Sequence, residues 1–192
     1  AKDRSAVLLF ISEQEIEAIA YCLRHDLDKK ATAEKLAGAG MSVDLALFGR
    51  MLAENKGMSI DGACQVAHAL STHRVNMETD YFTAVDDLVQ EADESGAGMV
   101  GIQGYNSACL YRYAMVDVEQ LSKNLQGDTK LTLTAVEAFL RAFCLVIPSA
   151  KQNSMAAQNL PSLVLLVARD RGVPISLANA FAKPVVAEDV IS

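Results

Sequence analysis

The sequence predicts an α+β fold: a helical segment followed by part of a ferredoxin-like unit. Three observations carry the prediction. The first 40 residues hold two helical patterns with capping signals. The chain from Gly62 onward alternates apolar and polar residues, the period of a half-buried strand. After a long excursion it resumes that alternation and then runs helix, then strand, so the order from Gly62 is strand, excursion, strand, helix, strand. That is the last three-quarters of a β-α-β-β-α-β unit. The missing first strand and helix are either replaced by the opening helix or lie upstream of Ala1. Two regions are expected: residues 1–60, helical and ending in a short strand or hairpin, and residues 61–192, the partial sheet unit.

Taken in order, Ser12–Leu27 reads as an amphipathic helix. Ser12 and Glu15 form a capping box, and Ile16, Ile19, Ala20 and Leu23 keep helical spacing. Lys29–Ala37 is a second short helix stopped by Gly38-Ala39-Gly40. The apolar run Val43–Phe48 is expected as a strand, with Gly49-Arg50-Met51 directly after it and a turn or hairpin tip over Ala53–Ser59. Gly62–Val75 is a strand with Cys64, Val66, His68 and Leu70 on one side.

Asn76–Gly104 is too long for an ordinary connection, and such insertions are usually functional or disordered. Within it Phe82–Val89 is expected as a short helix and Glu91–Gly98 as a solvated turn. Tyr105–Val118 returns to strand. Thr132–Val146 is an amphipathic helix opened by Thr132 or Thr134 and closed by Pro148. Ser162–Ala168 is almost wholly apolar and is expected as a buried strand. Pro174–Ala187 is a further extended segment or hairpin.

Composition narrows the function classes. Half of the 192 residues are apolar and about a fifth charged, the profile of a globular chain. No apolar run approaches the roughly 20 residues that span a bilayer, and the apolar run near the start has no cleavage site. Cys22, Cys64, Cys109 and Cys144 are scattered among apolar neighbours, as reduced core cysteines are, which points to a cytoplasmic location. The absent initiator Met and the unfinished end VVAEDVIS suggest an excised piece.

The net charge of −7 argues against a polyanion partner until its distribution is considered. Residues 1–100 carry 17 acidic against 9 basic side chains, and residues 101–192 carry 7 against 8. Seven acids fall between Glu78 and Glu94 with no base among them. There is no Gly-rich phosphate loop, no Ser-His-Asp order and no Gly-x-Ser-x-Gly elbow. The excursion does carry the adjacent aromatics Tyr81 and Phe82. Two adjacent aromatics in one loop do not share one core, so one of them is free to meet something flat, a base or another subunit.

Five blocks go further: VDLALFGRM, AHALSTHRVNMETDYFTAVDDL, YNSACLYRYA, PSAKQNSMAAQNLPSLVL and ISLANAF. From about Val43 to Ala182 these resemble the CasC family, the repeated crRNA-binding backbone of type I-E CRISPR surveillance complexes (Cascade). The resemblance implies an RRM-like palm with a helical fingers segment and a long thumb loop, here at about 74–104. It implies a non-catalytic scaffold that oligomerises along guide RNA. Its partners would be crRNA and the target DNA strand, other copies of itself and other Cascade subunits, with no membrane, cofactor or metal. Family members are considerably longer and begin with a strand, a basic loop and a helix, so this chain resembles a central piece.

The family pattern maps onto particular residues. Gly49, Arg50 and Met51 match its GRM, where the Met wedges against bases. A flexible thioether packs on any base face, Gly permits close backbone approach and Arg supplies a phosphate fork. Tyr81, Phe82 and Thr83 occupy the thumb-tip aromatic position. His73 aligns with a family His at the strand end, and Arg74 follows it; a strand-end His is also commonly a hydrogen-bonded structural residue. His68 is expected as a satisfied core or sheet residue. In Tyr111-Arg112-Tyr113 the basic and aromatic groups must face opposite sides, leaving open whether Arg112 or the tyrosines are exposed. Lys151 is a candidate phosphate contact, weakened because Asn153 stands where the family commonly has Arg.

A different reading makes the chain a small ferredoxin-like enzyme or metal- or ligand-binding domain using His73, Asp86 and Asp87, although adjacent carboxylates diverge and no second His sits at ligand spacing. A third has it only self-associating: a sheet lacking its first strand leaves an open edge, and the isolated piece is expected to be at least dimeric.

Overall fold

The computed structural model describes residues 9–52, 56–84 and 99–186. Its elements are α1 (Glu13–Arg24), α2 (Lys29–Ala37), α3 (Val43–Phe48), β1 (Cys64–Val66), β2 (Leu70–Ser71), β3 (Glu78–Ala84), β4 (Met99–Tyr105), β5 (Leu110–Tyr111), β6 (Ala114–Val116), α4 (Val118–Asn124), α5 (Thr129–Leu145) and α6 (Gln152–Met155). Helices and strands are mixed as an α+β fold requires. The strands pair antiparallel in a nested order along the chain, β3 with β4, β2 with β5 and β1 with β6. Each described pair is its own two-stranded sheet. Among the described residues no helix is long and apolar enough to cross a membrane.

The chain divides into two compact units, residues 1–66 with 114–172, and residues 67–113 with 173–192. In the first, the capping box forms as the sequence requires: Glu15 N–H donates to Ser12 Oγ at 3.2 Å, and Ser12 N–H donates to Glu15 Oε2 at 3.0 Å. The buried face of α1 is Glu15, Ala18 and Cys22, while Ile16 and Leu23 of the apolar stripe stay exposed. Periodicity identified the helix and mistook its inner face. Asp28 caps α2, whose bounds match expectation.

Val43–Phe48 is a helix, not the expected strand. Ser42 accepts from Leu45 N–H at its start, and Leu45, Ala46 and Leu47 are all buried. Three consecutive buried residues produce a continuous apolar run in either conformation, and the N-cap decided which. The core of this unit gathers Ala46 and Leu47 of α3, Ala63, Leu121 and Leu125, and Ala135 and Phe139 of α5. Asn124 braces it, its side-chain amide donating to the carbonyls of Ala46 at 2.9 Å and Asp61 at 2.8 Å. α5 begins at Asp128, which accepts from Leu131 N–H, one turn before the expected threonine cap. Burial against this core pushes the Cys64 thiol up.

Ser162–Ala168 is neither buried nor a strand. It has no regular structure, and Leu163 is 84% exposed with its apolar neighbours also open. An all-apolar run signals that both faces want cover, and nothing among the described residues supplies it. Cys109 likewise departs from expectation, being exposed, while Cys22 is buried.

The expected Gly62–Val75 strand is interrupted at the boundary between the units' residues. β1 ends at Val66, β2 covers two residues, and His68 between them is exposed, not a core residue. The excursion is a seven-pair ribbon of β3 and β4, from Glu78 opposite Tyr105 to Ala84 opposite Met99. Phe82 is therefore in a strand and not at a helix start. Thr83 and Ala84 continue that strand, while residues 85–89 of the expected helix, with Asp86 and Asp87, and the Glu91–Gly98 turn lie outside the described residues. Over 174–186 the chain makes a 3-10 turn, Ala178–Phe181, and a parallel bridge from Val185 to His73.

Candidate nucleic-acid interface

In the first unit the candidates centre on a backbone crossing. Gly49 ends α3 with φ 73 and ψ 178, a region essentially reserved for glycine. A Cβ there would lie 2.6 Å from both Ile60 O and Gly62 N. One at Gly62 would meet the Phe48 carbonyl carbon at 2.8 Å, so both glycines are required by contact between main chains. Arg50 and Ile60 then exchange reciprocal bonds, Arg50 N–H to Ile60 O at 2.9 Å and Ile60 N–H to Arg50 O at 2.7 Å. Leu52 N–H donates to Ser59 Oγ at 3.1 Å, closing the loop at its other end. Met51, between these ties, is 90% exposed.

Arg50 does not present the expected phosphate fork. Its guanidinium is buried and engages Glu15 through two parallel bonds, Nη1 to Oε2 at 2.8 Å and Nη2 to Oε1 at 2.9 Å. Nη1 also donates to Phe10 O and Nε to Met58 O, each at 3.0 Å. The physical reason is bidentate geometry: a planar fork is best satisfied by a carboxylate held at fixed distance. Burial by itself would raise the Glu15 carboxyl. The Arg50 bonds and charge, with the Ser12 backbone and hydroxyl, outweigh it and hold Glu15 below the usual glutamate value.

Glu15 is the residue that sequence reasoning missed as part of this group. Its capping role is legible, yet the same carboxylate serves α1 and Arg50. The available signal is its spacing: Glu15, Ala18 and Cys22 lie three and four apart, one helix face that includes an acid. Lys151 is separate, an exposed residue in left-handed conformation heading α6, with its carbonyl accepting from Met155 N–H.

In the second unit the ribbon has a tied root. Thr72 N–H and Oγ1 both donate to Cys109 O, at 2.9 and 3.2 Å. Cys109 N–H donates to His73 Nε2 at 3.1 Å, and the other ring nitrogen lies 3.0 Å from Arg74 O. The first bond makes Nε2 an acceptor, so the ring proton sits on Nδ1 and is donated to Arg74 O. His73 thus has both nitrogens engaged within the protein, and Arg74 beside it is exposed.

Tyr81 and Phe82, adjacent on β3, face opposite sides of the ribbon by strand alternation. Tyr81, opposite Ile102, is 69% exposed, and Phe82 is 46% exposed. Phe82 leans across the ribbon: a Cβ on Gly101 opposite would lie 2.3 Å from its ring. The bare Cα of Gly101 is what lets the ring rest there. Thr83 is exposed. At Tyr111-Arg112-Tyr113 the open alternative resolves, since Arg112 is exposed and the tyrosines are half-buried. Tyr111 is anchored, its hydroxyl accepting from Leu177 N–H at 2.9 Å and its ring set against Phe181.

The arrangement thus holds an exposed thioether on a hydrogen-bonded turn in one unit and, in the other, exposed aromatic side chains on the ribbon with exposed Arg74 and Arg112 outside its strands. Among the described residues no three His, Cys, Asp or Glu side chains gather as a metal-binding set.

Comparison with known proteins agrees with the resemblance drawn from the five blocks. The family model described as CT1975-like protein matches residues 1–191. A solved chain titled "CRISPR RNA-guided surveillance complex, pre-nicking" is 36% identical, with a TM-score of 0.76 over 96% of this chain and 53% of its own. Another, titled "CRISPR RNA-guided surveillance complex", is also 36% identical, with a TM-score of 0.59 over 92% of this chain and 60% of its own. No curated protein matches. The chain spans between half and two-thirds of the length of these solved relatives.

Proposed function

Because the chain belongs to the CT1975-like protein family, we propose that it is a non-catalytic scaffold subunit of a CRISPR surveillance complex that holds guide RNA. Sequence is read by guide–target pairing, and the protein grips the guide by shape, stacking and backbone contact. The observation that carries this reading is Met51, an apolar side chain almost wholly in solvent, fixed on a backbone crossing that its own burial does nothing to maintain. A thioether in that position packs against a base of any identity.

In this reading the ribbon within about 74–104 is the thumb, and Tyr81, Phe82 and Thr83 meet RNA on a neighbouring copy. Arg74, Arg112 and Lys151 supply phosphate contacts, the Gly49 backbone approaches the guide, and His73 shapes the thumb root beside it. Residues 61–192 form the RRM-like palm, copies assemble head to tail in an interface that does not close, and the target DNA strand and other subunits of the complex are further partners. Glu78 and Asp80 are exposed on the ribbon, so the thumb holds RNA by stacking and not by charge.

Fluorescence anisotropy of labelled single-stranded RNA over a salt series tests this. Binding should be sequence-tolerant and weaken with salt, and Met51→Ala and Tyr81→Ala should each weaken it at least about fivefold. RNA binding that is absent, or unaffected by both substitutions, would show the reading to be wrong.

A further inference from the structure

Met51 has nothing of its own to orient it, since nine-tenths of it is in solvent. Its direction is inherited from the residue before it. Arg50 joins three segments through one guanidinium: the chain entering α1 at Phe10 O, the carboxylate of Glu15 within α1, and the far side of the loop at Met58 O. Its backbone simultaneously carries both bonds to Ile60. A buried pair of this kind adds little net stability over a well-packed apolar pair, and its best-attested use is to specify one arrangement among several. Here the arrangement specified is the turn that presents Met51.

We propose that Glu15 and Arg50 are a positioning pair for RNA recognition: Glu15 captures the Arg50 fork, contributes no contact to RNA, and thereby fixes Met51 in the orientation that meets a base. This rests on the RNA-scaffold reading above. It differs from a phosphate-binding role for Arg50 in the sign of a single substitution. Were Arg50 the phosphate ligand, Glu15→Gln would release its fork and remove a competing negative charge, tightening RNA binding. As a positioning pair, Glu15→Gln loosens the turn and weakens binding.

The full chain is examined with Glu15→Gln, Arg50→Lys, Met51→Ala and the double variant Glu15→Gln/Met51→Ala, each checked for an unchanged far-UV spectrum. Two readouts are taken: anisotropy with single-stranded RNA across salt, and amide hydrogen exchange at Arg50 and Ile60. Glu15→Gln and Arg50→Lys should each weaken RNA binding about as much as Met51→Ala, and Glu15→Gln should add nothing in the Met51→Ala background. Arg50→Gln, measured alongside, should leave the salt slope unchanged, whereas loss of a phosphate contact would lower it by about 0.7. Exchange at Arg50 and Ile60 should accelerate in Glu15→Gln and stay as wild type in Met51→Ala.

Tighter RNA binding by Glu15→Gln, a reduced salt slope in Arg50→Gln, or unchanged exchange in Glu15→Gln would each overturn the pairing. Accelerated exchange with RNA binding intact, while Met51→Ala still weakens it, would overturn the positioning role and leave the scaffold reading standing. Wild-type RNA binding by Met51→Ala would overturn the RNA role of Met51 and this proposal with it, and the exchange result would still report whether the pair holds the turn.

Discussion

Replacing Gly49 by Ala asks how much the fold depends on the backbone crossing that precedes Met51. Two costs combine. The conformation, φ 73 with ψ 178, lies where only glycine is at ease, and a side chain there costs about 1–3 kcal/mol. The added Cβ also falls 2.6 Å from Ile60 O and Gly62 N, against 3.4 Å where ordinary contact begins. Both neighbours are main-chain atoms, and Ile60 O is already bonded to Arg50 N–H, so relief requires separating the two main-chain segments. Overpacking of that kind adds about 1–3 kcal/mol, for a combined loss of about 4 kcal/mol.

Gly127→Ala is the control. It sits in the same compact unit, has φ 81, and would meet nothing within 4 Å. Only the left-handed cost of about 1 kcal/mol applies there. Urea unfolding followed by far-UV circular dichroism compares the two without relying on tryptophan, which the chain lacks. A difference of about 3 kcal/mol at a slope near 2 kcal/mol/M separates the midpoints by about 1.5 M. Coincident midpoints would refute the crossing, since the strain common to both positions would then account for everything.

Two further outcomes follow from burial and charge. Leu121→Ala, at a fully buried position in the core, should cost about 2–5 kcal/mol, whereas Leu163→Ala, mostly in solvent, should move the urea midpoint by no more than about 0.5 kcal/mol equivalent. The Glu15 carboxyl is held below the usual value of 4.5, so the unfolded chain binds its proton first as pH falls. Its stabilising contribution should be complete above about pH 4.5 and decline below it, and the acid limb of a stability–pH curve should flatten in Glu15→Gln; an identical acid limb would contradict the pair.

Much of the helical part was legible because its signals are local. A Ser-x-x-Glu box starts α1, Gly38 stops α2, and a polar residue followed by an apolar period announces α5. Each acts within a turn or so of the backbone it marks. Val43–Phe48 was misread because a six-residue apolar run has no period to distinguish strand from helix, and only the Ser42 cap separates them. The candidate site was half legible. Gly49-Arg50-Met51 and Tyr81-Phe82 stand out as residue types, and an exposed Met51 and Tyr81 suit the use expected of them. The direction of Arg50 was not legible, because its partner lies 35 residues away.

By itself, the order of residues determined the capped helices, the family and the presence of a long excursion bearing adjacent aromatics. Tertiary structure alone decided that Arg50 turns inward to Glu15, that Phe82 lies over Gly101 while Tyr81 stands clear, and that Ser162–Ala168 is uncovered. The reason is range. Caps and periods act across a few residues of one chain segment, whereas the fate of a charge or an apolar face depends on which distant group arrives to meet it.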